Sequence, residues 1–347
     1  MTLSELAAKL GAVAQGDPSY PIKGLRDIER LAPDAELEEG YVYFVENKAV
    51  LKRHEKAGPK GAFLTTKELA PAFKTALVIE GDARLTFIKL LSLHDPLPRR
   101  PAGVSPSAHV DASAKVAASA AVLPGAVVMA GAVIGERCVI YPNAVIEDRA
   151  VVGDDTVIRS NVVIGHDCVV GRRCLIHSAT VIGADGFGFY DKPGSRHKIP
   201  HIGNVVIADD VELGASCTVD RATIESTTVG AFTKLDDQVH VGHNCTVGRF
   251  CYLVGNTAVG GSVTIGDGAM LSGMVIIKDH LNIAPGSIVM GMTAVAQDTE
   301  PKTAYFGVPA RPAREMHKIN AAAAELPGLL RRVRELEAKL GAAPAES

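Results

Sequence analysis

Between Leu235 and Cys245 the chain reads Leu-Asp-Asp-Gln-Val-His-Val-Gly-His-Asn-Cys. Histidine is the side chain whose unperturbed proton affinity lies near neutrality, so His243 is a candidate general base. Asp236 precedes it by seven residues. An aspartate that accepts a hydrogen bond from one imidazole nitrogen fixes the tautomer and leaves the other nitrogen free to take a proton. His280, in Ile277-Lys278-Asp279-His280, is a further imidazole able to line the same groove. Between them lies Gly260-Gly261, whose backbone N–H groups could face a developing oxyanion. Base, orienting acid, oxyanion donor and extra imidazole suit proton-assisted group transfer. The competing reading is a set of solvated polar side chains on a surface.

A hexad repeat must position these groups. From Val104 to Ile182 every sixth residue is aliphatic, as in Val104, Val110, Val116, Val122, Val128, Ile134 and Ile140. After a break the register resumes one residue out of phase, through Val205, Val211, Cys217, Thr223, Val229, Leu235 and Val241 to Val295. The two stretches hold fourteen and sixteen hexads. This period fits neither an amphipathic helix nor simple strand alternation, but it does fit short strands wrapped round a prism. With three faces per turn, the fold class is mainly β: a parallel β-helix of about ten coils. Two residues before each aliphatic stands a small or β-branched residue (Ala126, Ala132, Cys138, Ala144), so two inward positions alternate along each strand. Glycine often follows the aliphatic (Gly135, Gly153, Gly165, Gly171, Gly242, Gly248, Gly266), where a corner needs a permissive backbone.

Three segments lie outside the repeat. Residues 1–100 read as a small α/β domain, with a helix in SELAAKLGA capped by Ser4 and strand–helix–strand alternation thereafter. A Pro-rich linker spans 95–106. The β-helix domain is 101–297, interrupted by an insert at 184–203 that carries Phe187, Phe189, Tyr190, Arg196, His197 and Lys198. Such an excursion from a rigid scaffold suits a substrate-covering loop or a subunit contact. Residues 298–347 read as a helical extension, two helices split around Pro327, with a short Leu326, Leu330, Val333, Leu336, Leu340 seam fit for packing in an oligomer.

Composition narrows the classes. The chain is 47% hydrophobic and 5% aromatic with no Trp, as a prism lined by small aliphatics requires. A net charge of −3 argues against a general nucleic-acid surface. No apolar run approaches the roughly 20 residues of a membrane span, and the N-terminus lacks a signal-peptide core, so a cytoplasmic protein is expected. Five of the six cysteines fall at the small inward position and Cys217 at the aliphatic one, so all read as buried hydrophobes rather than disulfides or metal ligands. In Tyr43-Phe44-Val45-Glu46-Asn47 an aromatic and an amide could stack and hydrogen-bond a base, although a core Phe and a turn Asn are the commoner explanation.

The order of parts, with GADGFGF (183–189), HKIPHIGNVVI (197–207), Thr218-Val219-Asp220-Arg221-Ala222 and VGHNC (241–245), resembles the UDP-3-O-(3-hydroxyacyl)glucosamine N-acyltransferase family of the lipid A pathway over nearly the whole chain. The resemblance implies a left-handed β-helix, homotrimeric assembly with sites between subunits, and acyl carrier protein as donor, its phosphopantetheine thioester replacing any metal or separate cofactor. It implies transfer of a 3-hydroxyacyl group to the 2-amine of UDP-3-O-(3-hydroxyacyl)-glucosamine. His243 would be the general base, Asp236 its orienting acid, Gly261 the oxyanion donor and His280 a substrate-binding residue. Phe44 and Asn47 would hold the uracil. Two departures stand out. Val50 replaces the second stacking aromatic, and Ala296 and Gln297 occupy the region of a basic residue linked with the carrier phosphate, for which Arg311, Arg314 or Lys318 could substitute.

Three other functions compete. A hexapeptide acetyltransferase would use acetyl-CoA on another amino-sugar nucleotide. A zinc hydratase would need three His across an interface, for which His240, His243 and His280 are available but lack close spacing. A non-enzymatic scaffold would leave the insert and His243 buried and dry.

Overall fold

The computed structural model describes residues 1–33, 35–54, 60–94 and 100–340. It divides into two compact units, Met1–Arg99 and Arg100–Ser347. Of the expected linker, residues 95–99 lie outside the described residues.

The first unit holds a five-stranded sheet in the order β1 (Val13–Gln15), β5 (Ala76–Ile79), β4 (Ala62–Thr66), β3 (Tyr41–Val45), β2 (Gly24–Arg26). All neighbours run parallel except β1 and β5. Helix α1 (Leu3–Leu10) buries Leu3, Leu6, Ala7 and Leu10 at the spacing of one helical face. Its cap is Thr2, not the expected Ser4: the Thr2 hydroxyl accepts from the Glu5 N–H while the Glu5 carboxylate accepts from Thr2, a capping box. Helices α2 (Lys48–Arg53) and α3 (Ala83–Leu93) begin at the caps Asn47 and Asp82.

The second unit is the parallel β-helix. Strands of mostly two residues fall on three faces of ten, nine and twelve strands, so the prism has about ten coils. Away from the excursions each strand pairs with the one eighteen residues on, as in Val127↔Val145, Val133↔Val151 and Val139↔Val157. The aliphatic and the small residue two before it both face the axis: Ala126, Val128, Ala132, Ile134, Ala144 and Ile146 are buried in one continuous core.

The register past the insert differs from the expected one. The larger inward residues there are Ile207, Leu213 and Val219, with Val205, Val211 and Cys217 at the small position. A second, short excursion follows strand Thr218–Arg221, and the next strand, Ser226–Val229, turns Thr227 and Val229 inward. Thr223 is therefore not a core position, and a four-residue slip restores the phase that Val229 onward displays. Cys217 joins the other five cysteines at the small position. All six are free and buried, and burial pushes their thiols up, for Cys217 to about 11.

The glycines have a different reason from the one expected. The left-handed corner residue lies three after the aliphatic and is usually not glycine: Arg137, Asp155, Asn161 and Asn244 all have φ between 57° and 60°. Gly153 and Gly171, directly after the aliphatic, are there because coils approach closely. A Cβ on Gly153 would lie 2.7 Å from the carbonyl carbon of Gly171, and one on Gly171 would lie 2.7 Å from that of Ala208.

The insert leaves the prism after strand Val181–Asp185 as an antiparallel hairpin, Phe189–Lys192 with Ser195–Lys198. The C-terminal extension is one helix, α4 (Ala313–Leu340), not two: Pro327 lies inside it. Proline removes a single helical N–H, and because α4 buries no residue, water can satisfy the carbonyl left over.

Candidate active site

His243 follows strand His240–Val241 on the ten-stranded face, and Gly261 follows strand Ala258–Val259 one coil on. Asp279 and His280 follow strand Ile276–Ile277 one coil further. Eighteen residues per coil thus stack His243, Gly261 and His280 at one corner, at strand spacings of about 4.8 Å. Phe187, Asp220, His240 and these residues line a cleft of about 400 Å³.

The tautomer of His243 is fixed by Asn244. Asn244 Nδ2 donates to the Ile224 carbonyl at 3.1 Å, and its Oδ1 accepts from the Thr223 N–H at 3.0 Å. The amide orientation is therefore set by two backbone groups of opposite kind. His243 Nδ1 lies 3.0 Å from that same Oδ1, so Nδ1 carries the proton and donates it. Nε2 is left with a lone pair. It lies over Gly261, where a Cβ would come within 2.7 Å of it.

Gly260 and Gly261 have unlike roles. The Gly260 N–H donates to Ile277 O at 2.9 Å within the coil ladder. At equivalent corners the next N–H donates to a carboxylate of the following coil, as Glu136 to Asp154, Arg172 to Asp209 and Arg249 to Asp267. Among the described residues the Gly261 N–H meets no such acceptor. It is a donor beside a free imidazole nitrogen.

Asp236 does not join His243 within the chain. It follows strand Lys234–Leu235 of the twelve-stranded face, so the width of the ten-stranded face separates the two corners. Its oxygens are engaged by the Asp237 N–H at 2.8 Å and the Gly255 N–H at 3.0 Å. The expected pairing fails because a spacing of one hexad plus one residue carries a side chain to the next corner rather than to the next coil of the same one. Besides Asp279, the carboxylate that enters the cleft is the buried Asp220, on the coil before, 6% exposed and 3.8 Å from His240 Nε2. Burial raises its proton affinity, against the lowering influence of His240 and His243.

His201, in the insert, is also at the site. It is 6% exposed, its ring lies 5.1 Å from that of His243 in an edge-to-face arrangement, and its Nδ1 lies 3.0 Å from the Ile199 carbonyl. Nδ1 therefore donates, and the buried Nε2 has no partner among the described residues. Asn244, Asp220 and His201 were within the quoted motifs VGHNC, TVDRA and HKIPHIG, but no spacing rule singled them out. Among the described residues no group of three or more His, Cys, Asp or Glu is arranged to hold a metal ion.

A bacterial transferase hexapeptide model (six repeats) matches residues 113–148 and 149–184. The chain is 38% identical over 342 residues to the UDP-3-O-acylglucosamine N-acyltransferase of Pseudomonas paraeruginosa, covering 98% of this chain and 95% of that one. The chain belongs to the UDP-3-O-acylglucosamine N-acyltransferase family. The enzyme of that name from Dechloromonas aromatica is 47% identical over 245 residues, 71% of this chain and 68% of that one. The solved structure of Arabidopsis UDP-N-acetylglucosamine acyltransferase superposes with a TM-score of 0.55 at 20% identity, covering 60% of this chain and 73% of that one, and shares the fold.

As a UDP-3-O-acylglucosamine N-acyltransferase family member the chain is an acyltransferase, and no described helix is long and apolar enough to cross a membrane. The two candidate uracil contacts in its first unit have structural roles. The Phe44 ring stacks on Phe87 with centroids 4.3 Å apart and planes 6° apart, so one aromatic face is already covered. Phe44 and Phe87 line a cavity of about 710 Å³ with Arg26, Glu46 and Arg84. Asn47 is exposed, and its Oδ1 accepts from the Val50 N–H at 3.0 Å, capping α2. Val50 packs into the core on the side of the sheet that holds Tyr43 and Val45, away from the Phe44 ring.

Proposed function

We propose that this acyltransferase moves a 3-hydroxyacyl group from acyl carrier protein to the 2-amine of UDP-3-O-(3-hydroxyacyl)-glucosamine, in lipid A biosynthesis. The observation that carries the reading is His243, with Nδ1 donating to Asn244 Oδ1 at 3.0 Å and Nε2 so close to Gly261 that a Cβ there would stand 2.7 Å from it. His243 Nε2 takes the proton as the sugar amine attacks the thioester carbonyl. The Gly261 N–H receives the oxyanion of the tetrahedral intermediate, and the thiolate of the phosphopantetheine arm departs with the proton returned from the imidazolium. Asn244 holds the tautomer, Asp220 supplies negative charge beside the imidazoles, and His280 contacts substrate at the cleft mouth. The reaction is balanced without a metal or a separate cofactor.

The uracil would stack on the Phe44 face that Phe87 leaves free, with Asn47 Nδ2 as the nearby donor. Outward apolar residues on the last coils, Met270, Ile276 and Met292, are 41%, 58% and 70% exposed in the single chain, which favours assembly of three chains side by side in the cytoplasm. In such a trimer Asp236 acts on His243 only from a neighbouring chain. Arg311, Arg314 and Lys318 offer the positive charge for an acidic carrier.

The test is a donor panel on the purified protein with UDP-3-O-acyl-glucosamine as acceptor. Carrier-bound 3-hydroxyacyl groups of varied length should be turned over and acetyl-CoA should not. Turnover of acetyl-CoA with no carrier dependence would replace this reading with a coenzyme A acetyltransferase.

A further inference from the structure

Arg221 is the largest fully buried side chain among the described residues, 2% exposed. Taking a guanidinium out of water is costly unless its N–H groups are all used. Here they are used in a particular way. Nε donates to Gly183 O at 2.9 Å and Nη1 to Gly203 O at 3.1 Å. Nη2 donates to His166 O at 3.1 Å, and Nη1 lies 2.7 Å from His166 Nε2. Gly183 is the last residue before the 184–203 excursion and Gly203 is its final residue. One side chain therefore grips both stems of the insert and fastens them to the coil that carries His166.

Between those stems the insert bears on the base. A Cβ on Gly186 would stand 2.6 Å from His201 Nε2 and 2.7 Å from His243 Cβ, so the loop backbone closes directly on the imidazole. His201 adds its edge-to-face contact at 5.1 Å. The hairpin beyond is exposed, with Phe189 and Tyr190 at its base 43% and 58% exposed. Besides the Lys198–Asp185 ion pair at 2.8 Å, order at the His243 wall comes from the stems. We infer that Arg221 is a positioning residue for acyl transfer. It touches no substrate, and it fixes the insert as a rigid wall against His243. The inference rests on the function proposed above.

The test compares Arg221→Met and Arg221→Lys with Ile140→Ala, a core substitution on a distant coil that serves as the control for lost stability. Each full-length variant is assayed for kcat, for KM of the UDP-linked acceptor, for melting temperature and for trypsin cleavage after Arg196 and Lys198. Arg221→Met should lower kcat by at least about tenfold, because small displacements of catalytic groups are that costly. KM should stay within about twofold, since ground-state nucleotide contacts are untouched. Hairpin cleavage should accelerate, whereas Ile140→Ala should leave both the cleavage and kcat near wild type. Arg221→Lys should fall between, because an ammonium reaches one carbonyl but cannot bridge two. A kcat for Arg221→Met no lower than the control, or unchanged hairpin cleavage, overturns the inference. If the Met variant does not fold, wild-type kcat in Arg221→Lys overturns it. Absence of acyl transfer in the wild-type protein would instead count against the proposed function.

Discussion

Asn244 offers the sharpest test of the site. Its Oδ1 receives two hydrogen bonds, from Thr223 N and from His243 Nδ1, each at 3.0 Å. In Asn244→Ala the imidazole loses its tautomer-setting partner. One hydrogen bond is worth about 1 kcal/mol net, or roughly a fivefold loss of correctly protonated and oriented base. The ring is then also free to rotate off Gly261, and a misplacement of about 1 Å adds up to about 10²-fold. The expected loss in kcat lies between about 5-fold and about 5 × 10²-fold, with KM little changed. Asn244→Asp keeps an oxygen for Thr223 and His243 but turns the donor to Ile224 into an acceptor facing that carbonyl, so it should retain more activity than the alanine variant while melting below wild type. The residue also sits at φ 59°, which Asn and Asp tolerate better than Ala, so both melting temperatures must be measured alongside. Nitrogen-15 NMR reads the tautomer directly: Nδ1–H in the wild type and a mixture in Asn244→Ala. An alanine variant within twofold of wild-type kcat, or a wild-type imidazole protonated on Nε2, would refute the reasoning.

Other substitutions probe the remaining contacts. His243→Ala should lower kcat by at least about 10² in a protein that still assembles, measured with carrier-bound donor; near-normal turnover would remove it from its role. Gly261→Ala places a methyl 2.7 Å from His243 Nε2, so kcat should fall at least about tenfold while the melting temperature barely moves. Asp220 is held above its ordinary 3.8 by burial. The folded state therefore binds that proton more tightly than the unfolded chain, and the residue costs stability as pH rises past 3.8 through its folded value. Asp220→Asn should melt higher than wild type at pH 7, with a smaller gain at pH 4, yet turn over more slowly; a variant that melts lower at both pH values would contradict this. Mixing Asp236→Ala with His243→Ala chains before refolding should restore part of the activity if Asp236 serves a neighbouring chain, and mixed assemblies as inactive as either parent would exclude that route.

The repeat made the fold legible because each hexad states its own burial. Val128, Ile134 and Ile140 face the axis as their spacing requires, with Ala126, Ala132 and Cys138 beside them. What a period cannot carry is a slip. The excursion after Arg221 shifts the phase by four, and Thr223 happens to fill the vacated position, so the spacing looked unbroken where the chain leaves the prism. The two proline and cap differences have the same local character. Thr2 and Ser4 are both good caps, and only the Glu5 reciprocal bond decides between them.

The site was legible as a column and illegible as contacts. His243, Gly261 and His280 share a corner because their separations differ from eighteen and thirty-six by at most one residue, which arithmetic on the sequence can recover. Asp236 failed the same arithmetic, since seven residues reach the next corner and not the next coil. Asn244 and His201 lie outside any such count. Asn244 acts through a neighbouring side chain in sequence, where a repeat has no information. His201 reaches His243 from a non-periodic insert whose path is set by Arg221. That division has a physical basis. A solenoid fixes where each Cα sits to within a strand spacing, and catalysis depends on which way an imidazole turns. The orientation is decided by hydrogen bonds from the places where the repeat is broken, so residues that interrupt the period, not those that keep it, should dominate the effect of mutation on kcat.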